Sequence, residues 1–219
     1  MTSSESRGLA GHNCEPSLPI RITSKNNETL KVEEKMQLQE LKIRGAWVYN
    51  PIRFQDSRGH FEEQFKLSLI EKELGRSFQV LQVNQTMSNR GVIRGIHWTE
   101  GDGGTAKYVS CTRGAIWDVV VDLRSSSPTY GNWDAHILSE QNGASMLISE
   151  GLGHAFLALE NHSLVNYLCT SEYKPVNERS VHPLDPKISI DFAGMAKKLG
   201  IKNFTLSDKD RLAGGFQGQ

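Results

Sequence analysis

Two histidines close glycine-led segments of similar layout. Gly91 is followed by five residues and then His97, while Gly143 is followed by five residues, then Ser149, Glu150, Gly151, two more residues and His154. Imidazole titrates near neutral pH and ligates metals, so two histidines in one cavity suit proton transfer or metal binding. The metal reading lacks donors. Thr99 stands where a second histidine, two places after His97, would complete a chelating pair. His97 and His154 alone give too few protein ligands for a stable site. An isolated histidine is usually a satisfied core or surface residue; two in paired segments shift the balance toward a shared cavity. The densest polar stretch runs from Gln82 to His97. On a strand, Gln82, Asn84 and Thr86 share one face. Inward polar groups are costly unless they meet a ligand or each other. Arg94 and His97 would lie on opposite faces of a regular strand, but Gly95 between them permits a bulge that re-aims a side chain.

The chain around these residues narrows the function. Its 219 residues suit one domain, or one domain with a tail. Lys+Arg and Asp+Glu balance at 25 each, so no global field draws nucleic acid or membrane, and any anion site must be a local basic cluster. Cys14, Cys111 and Cys169 are odd in number and far apart, which supports neither a zinc ribbon nor a disulfide framework and fits a reducing compartment. The N-terminus lacks the apolar core of a secretory signal, and no apolar run reaches membrane-spanning length. A soluble, cytoplasmic protein is expected.

Residues 1–35 read as a polar, flexible tail, and residues 36–219 as the folded domain. One helix is well signalled. Ser68 and Glu71 form a capping box, Leu67, Ile70 and Leu74 recur at helical spacing, and Gly75 supplies the stop. A second short helix is expected over 192–200. Most of the rest reads as strands: 78–87, the β-branched run 116–123, 146–149, 156–159 and 164–170. Turn signals separate them, as at Arg113-Gly114 and Gln141-Asn142-Gly143. Many short strands at regular spacing indicate an all-β sandwich or barrel with a few short helices.

The two histidine segments match degenerate forms of the paired cupin motifs, with Ser149 where proline is usual. The chain further resembles the dTDP-4-dehydrorhamnose 3,5-epimerases and the related 3-epimerases and 3,5-epimerases of antibiotic deoxysugar pathways. The resemblance spans about Met36 to Asp210. Asp56-Ser57-Arg58-Gly59-His60-Phe61-Glu62-Glu63, Gln82-Val83-Asn84, Arg94-Gly95-Ile96-His97 and Ala106-Lys107-Tyr108-Val109 carry its first half. Trp117 to Arg124, Ser127 to Gly131, Ser149 to His154, Tyr167-Leu168-Cys169 and Leu206 to Asp210 carry its second.

That resemblance implies a cupin jelly roll and a role for each matching residue. His97 is implied as general base, oriented by Asp210, and Tyr167 as general acid on the opposite sugar face. Lys107 and His154 are implied to line the same pocket. Tyr173 is implied to stack on thymine. Arg58, Phe61, Glu63, Gln82, Asn84, Arg94 and Glu178 are implied as substrate contacts. The region of Arg58 to Glu63 is implied to reach into a partner subunit's site, which makes a homodimer the expected assembly. Ala155 stands where the family usually has glycine and is expected to crowd the turn after His154.

The chemistry agrees with these types. Removing a proton alpha to a ketone needs a base of near-neutral pKa, the enolate oxygen needs a cationic donor, and inversion needs an acid on the far face. None of these steps requires a metal or redox cofactor, and none is expected. Arg94 and Arg58 suit a diphosphate. The expected reaction is epimerisation at carbon 3, carbon 5 or both of a dTDP-4-keto-6-deoxyhexose. The competing readings are a metal-dependent cupin oxygenase and a non-catalytic sugar-binding cupin.

Overall fold

The structure is a computed structural model that describes residues 38–217 apart from position 102. The polar tail expected over 1–35 lies outside the described residues. In chain order the elements are β1 (Leu38–Glu40), β2 (Ala46–Tyr49), β3 (Arg53–Asp56), β4 (Gly59–Glu62), α1 (Leu67–Leu74), β5 (Gln82–Ser88), β6 (Ile93–Thr99), β7 (Lys107–Arg113) and β8 (Ala115–Asp122). Then follow β9 (Trp133–Ser139), β10 (Ser145–Ile148), β11 (Leu152–Ala158), β12 (Ser163–Cys169), a 3-10 turn at Pro175–Asn177, β13 (Glu178–Ser180), α2 (Phe192–Leu199) and α3 (Asp208–Arg211).

Two antiparallel sheets carry the molecule. One runs β1-β2-β10-β7-β12-β5 and the other β13-β6-β11-β8-β9, while β3 and β4 form a separate hairpin. This is the jelly-roll arrangement expected, built as two sheets rather than one closed barrel. Alternation along the strands explains the three cores. Ile116 and Val120 of β8 point between the sheets, where they meet Val48, Val109, Met146 and Val165 of the facing sheet. Trp117, Val119 and Val121 point outward and are covered by Phe192 of α2, Ile188, Ile190 and Phe216. Both faces of β8 are therefore buried, which is why its sequence is almost continuously apolar. On the other sheet's outer face, Trp47, Tyr108 and Leu147 receive Ile70 of α1.

Several elements differ from expectation in instructive ways. α1 begins at Leu67 with Lys66 as its cap, and no side chain caps it. Ser68 is therefore inside the first turn, and Glu71 is drawn away to accept from Phe78 N and Ser77 Oγ at 3.0 Å each. Gly75 ends the helix in the left-handed region as its position implied. β5 starts at Gln82, not at 78, because Phe78 is taken up by the core under α1. β11 extends back to Leu152, so His154 and Ala155 sit mid-strand and not in a turn. α2 occupies the segment expected for it, with Asp191 accepting from Gly194 N and Gly200 closing it.

Candidate active site

Between the sheets lies a cavity of about 620 Å³. One sheet contributes Asn84 and Thr86 (β5), Lys107 (β7), and Tyr167 and Cys169 (β12). The other contributes Arg94 and His97 (β6) and His154 and Phe156 (β11). Ser207, Lys209 and Asp210 at α3 complete the wall.

A bulge puts Arg94 and His97 on the same side. His97 pairs with His154 and Arg94 with Phe156, so Gly95 and Ile96 together oppose Ala155 alone. The extra residue converts an odd spacing into an even one. Gly95 has φ +115°, and a Cβ there would sit 2.5 Å from His154 O and 2.6 Å from Ala155 Cα. Only glycine fits that crossing.

His97 Nε2 lies 2.6 Å from Asp210 Oδ1. Asp210 is only 3% exposed, although it belongs to a four-residue helix at the surface. Ser207 caps that helix by accepting from Asp210 N at 3.1 Å. Burial pushes the Asp210 carboxyl up, but the His97 hydrogen bond and charge, with Ser207 and the Gly95 N–H, outweigh it and hold the group below its usual value. Asp210 thus stays anionic and, by accepting from Nε2, leaves His97 Nδ1 as the basic nitrogen.

His154 repeats the arrangement deeper in the sheet, with Nε2 at 2.6 Å from Asp118 Oδ1, and the other oxygen of Asp118 has no hydrogen-bond partner among the described residues. His154 also meets the Tyr167 ring edge-on, with centroids 5.8 Å apart. The Tyr167 hydroxyl shares a 3.3 Å hydrogen bond with Thr86, and burial pushes its phenol well above the usual tyrosine value. Tyr167 is therefore protonated at neutral pH. Lys107 is half-buried in the wall; burial lowers its ammonium below the ordinary lysine value, against the raising pull of Cys169, Glu178 and Asp118. Arg94 donates to Ser88 Oγ at 3.0 Å and to Met87 O at 3.2 Å, which fixes its fork at the cavity wall.

The remaining sequence-derived candidates divide. Gln82 lies just outside the lining, where it donates to Asn84 Oδ1 at 2.7 Å and accepts from Tyr173 N at 2.7 Å, tying the loop of Tyr173 to β5. The Tyr173 ring is exposed. Glu178 accepts from Thr99 Oγ1 at 3.0 Å on the β6–β13 ladder. Arg58, Phe61 and Glu63 are not in this cavity. Arg58 is held by Asp56 in the exposed β3–β4 turn, at 2.5 Å. Phe61 is 65% exposed beside Phe54. Glu63 faces Lys66 at 3.7 Å.

Asp118, Ser207 and Lys209 were not assigned from sequence. Asp118 interrupts a β-branched run on the face of Ile116 and Val120, and a charge so placed requires a buried partner. Lys209 needed only recognition that Ser207 starts a helix. Among the described residues, no group of three or more His, Cys, Asp or Glu side chains is placed to hold a metal ion.

Comparison with known proteins accords with this geometry. The family model described as dTDP-4-dehydrorhamnose 3,5-epimerase matches residues 40–217. The dTDP-4-dehydrorhamnose 3,5-epimerase of Mycolicibacterium smegmatis is 48% identical over 150 residues, which cover 68% of this chain and 75% of the relative. The RmlC epimerase of Mycobacterium tuberculosis superposes with TM-score 0.78 at 39% identity, covering 82% of this chain and 88% of the other. ChmJ of Streptomyces bikiniensis, a 3'-monoepimerase solved with dTDP-quinovose, superposes with TM-score 0.74 at 41% identity, covering 80% and 85%.

Proposed function

Since the chain belongs to the dTDP-4-dehydrorhamnose 3,5-epimerase family, we propose that its cavity is the site where a dTDP-4-keto-6-deoxyhexose is inverted. The protein is an isomerase of the deoxysugar pathways, acting at carbon 3, carbon 5 or both. One observation carries the residue roles: His97 enters the cavity from one sheet and Tyr167 from the other. A base and an acid on opposite walls are what inversion needs, because the proton leaves one face of the sugar and returns to the other.

In this reading His97 Nδ1 takes the proton alpha to the ketone, and Asp210 stabilises the imidazolium that results. Lys107 donates to the enolate oxygen within an enclosed site, where such a donor is strongest. Tyr167 gives its phenolic proton to the opposite face, leaving a tyrosinate that is reset between inversions. Arg94 and Lys209 bind the diphosphate, His154 and Asn84 hold the sugar, and Tyr173 offers its exposed ring to the thymine. No metal or redox group takes part in these steps.

The working form is a homodimer in the cytoplasm. The hairpin β3–β4 belongs to neither sheet and carries Phe54 and Phe61 exposed. With Arg58 and Glu63 it fits a neighbour's pocket better than solvent. Mixing His97→Asn with Arg58→Ala protein would regenerate one intact site per mixed dimer. Full activity in a strict monomer would refute the assembly.

The reaction is tested by incubating the protein with dTDP-4-keto-6-deoxyglucose in deuterated water. Exchange at carbon 3, carbon 5 or both, with inversion, is expected. No exchange at either carbon would overturn the reading.

A further inference from the structure

Asp210 reaches His97 from a helix with little of its own to hold it. α3 has four residues, and Asp210 is the only buried one. Leu212, directly after it, is 82% exposed. Packing of α3 itself therefore does not explain a 2.6 Å contact with His97. Beyond the bonds of Asp210 itself to His97 and the Gly95 N–H, the segment is fixed from its two ends.

The front end is tied to β6. Ile93 N donates to Thr205 O at 3.0 Å and Thr205 N donates to Gly91 O at 3.0 Å, forming a parallel bridge of Val92 and Thr205. A buried carboxylate anchors the rear end. Asp185 accepts from Phe216 N at 2.8 Å through one oxygen and from Lys187 N at 2.8 Å through the other. Ile188 N adds a third bond. Asp185 is buried, and these backbone donors outweigh the burial that would raise its carboxyl, holding it below the usual value. Around it, Phe216 packs on Tyr130 with centroids 4.9 Å apart, Tyr130 Oη donates to Gln217 O at 2.8 Å, and His182 N donates to Gly214 O at 3.0 Å.

We propose that Asp185 is a positioning residue for the reaction: its clasp on Phe216 is the rear tether that holds α3, and so Asp210, against His97. Asp185 does not touch the cavity, and its effect is wholly through Asp210. The inference rests on the functional reading above for its kinetic consequence, but not for its geometric one.

The test uses Asp185→Asn and, because that variant removes a buried charge and can fail to fold, a chain ending at Ala213. The shorter chain keeps the Asp185 bonds to Lys187 and Ile188 but loses the clasp together with the His182–Gly214 and Tyr130–Gln217 bonds and the Phe216 packing, so an effect shared by both variants is the one assigned to the clasp. Two short imidazole–carboxylate hydrogen bonds, His97–Asp210 and His154–Asp118, should each give a far-downfield proton resonance, assigned by His97→Asn and His154→Asn. With the clasp broken, the His97 resonance should vanish and the His154 resonance remain. Turnover should fall about a hundredfold, as for a small misplacement of a reacting group, with the Michaelis constant little changed. Retention of both resonances and of turnover would overturn the proposal. Loss of both resonances would also overturn it, since the clasp would then be a general support of the fold. A selective loss of the His97 signal in a protein whose wild type inverts no 4-keto sugar would keep the positioning claim and defeat the functional reading.

Discussion

His97 and His154 are direct partners across the β6–β11 ladder, and each gives its Nε2 to a different buried carboxylate at the same 2.6 Å. The two pairs are alike in bonding and unlike in setting. Asp118 sits mid-strand in β8 with both faces covered, whereas Asp210 comes from a surface turn. His97 keeps 31% of its side chain exposed and His154 keeps 6%. In the proposed reaction the more exposed His97, whose ring can meet a substrate, takes the proton-moving role, and His154 the framing role.

Asp210→Asn tests the first pair. The amide can still accept from His97 Nε2 but cannot neutralise the imidazolium that forms. Turnover should fall by on the order of a hundredfold or more with the Michaelis constant nearly unchanged. A variant with wild-type turnover would remove Asp210 from the mechanism.

Gly95→Ala tests the bulge. The new methyl meets His154 O at 2.5 Å at a backbone φ of +115°, so the strand must shift. The destabilisation should be on the order of 2–3 kcal/mol. Restoring a regular strand would turn Arg94 or His97 away from the cavity, so activity should fall further than folding does. Thermal melting and turnover at a temperature where the variant is folded would check both. An active, equally stable Gly95→Ala protein would show that the bulge is dispensable.

This bulge also marks how far the sequence could be read. The type and place of α1, β8, β10 and β12 followed from periodicity and turn residues, since each is a strong local pattern. The shared face of Gln82, Asn84 and Thr86 followed likewise. That Arg94 and His97 face one cavity did not follow, because the register between β6 and β11 is a property of two strands and not of one. Asp118 escaped for a similar reason: its partner His154 lies on a neighbouring strand. Ser68 misled as a cap because the same Ser–Glu spacing occurs within the first turns of the helix, where Glu71 has better donors in Ser77 and Phe78.

Asp122 predicts an acid-stability signature. Burial would raise its carboxyl, but hydrogen bonds from Arg124, Ser127 and Thr129 prevail and lower it from 3.8 to about 2. Arg124 binds it at 2.8 and 2.7 Å, Ser127 at 2.5 Å and Thr129 at 2.6 Å. A depressed carboxyl stabilises the fold above its unfolded value, and that stability is lost as pH falls through the folded one. The contribution is about 2 kcal/mol. Melting temperature should drop between pH 3.8 and about 2 in the wild type. Asp122→Asn should be less stable at neutral pH and lack that part of the slope. Parallel curves for the two proteins would rule the network out as its source.

The last prediction separates the two walls of the cavity. His97 stands on β6 of one sheet and Tyr167 on β12 of the other. If His97 is the base, His97→Asn should abolish both solvent exchange and inversion, because no proton leaves the sugar; a loss of on the order of a hundredfold or more is expected. Tyr167→Phe should differ in kind. It keeps the ring against His154 and loses only the hydroxyl and its bond to Thr86. The base can still remove a proton and return one to the same face. In deuterated water, label should then enter the substrate without net inversion, provided His97 exchanges its proton within the lifetime of the enolate. Mass spectrometry reads the label and proton coupling constants read the configuration. Inversion at the wild-type rate in Tyr167→Phe would exclude Tyr167 as the acid and pass that role to another group on the same wall. Lys107 is the first to test, since burial already lowers its hold on a proton.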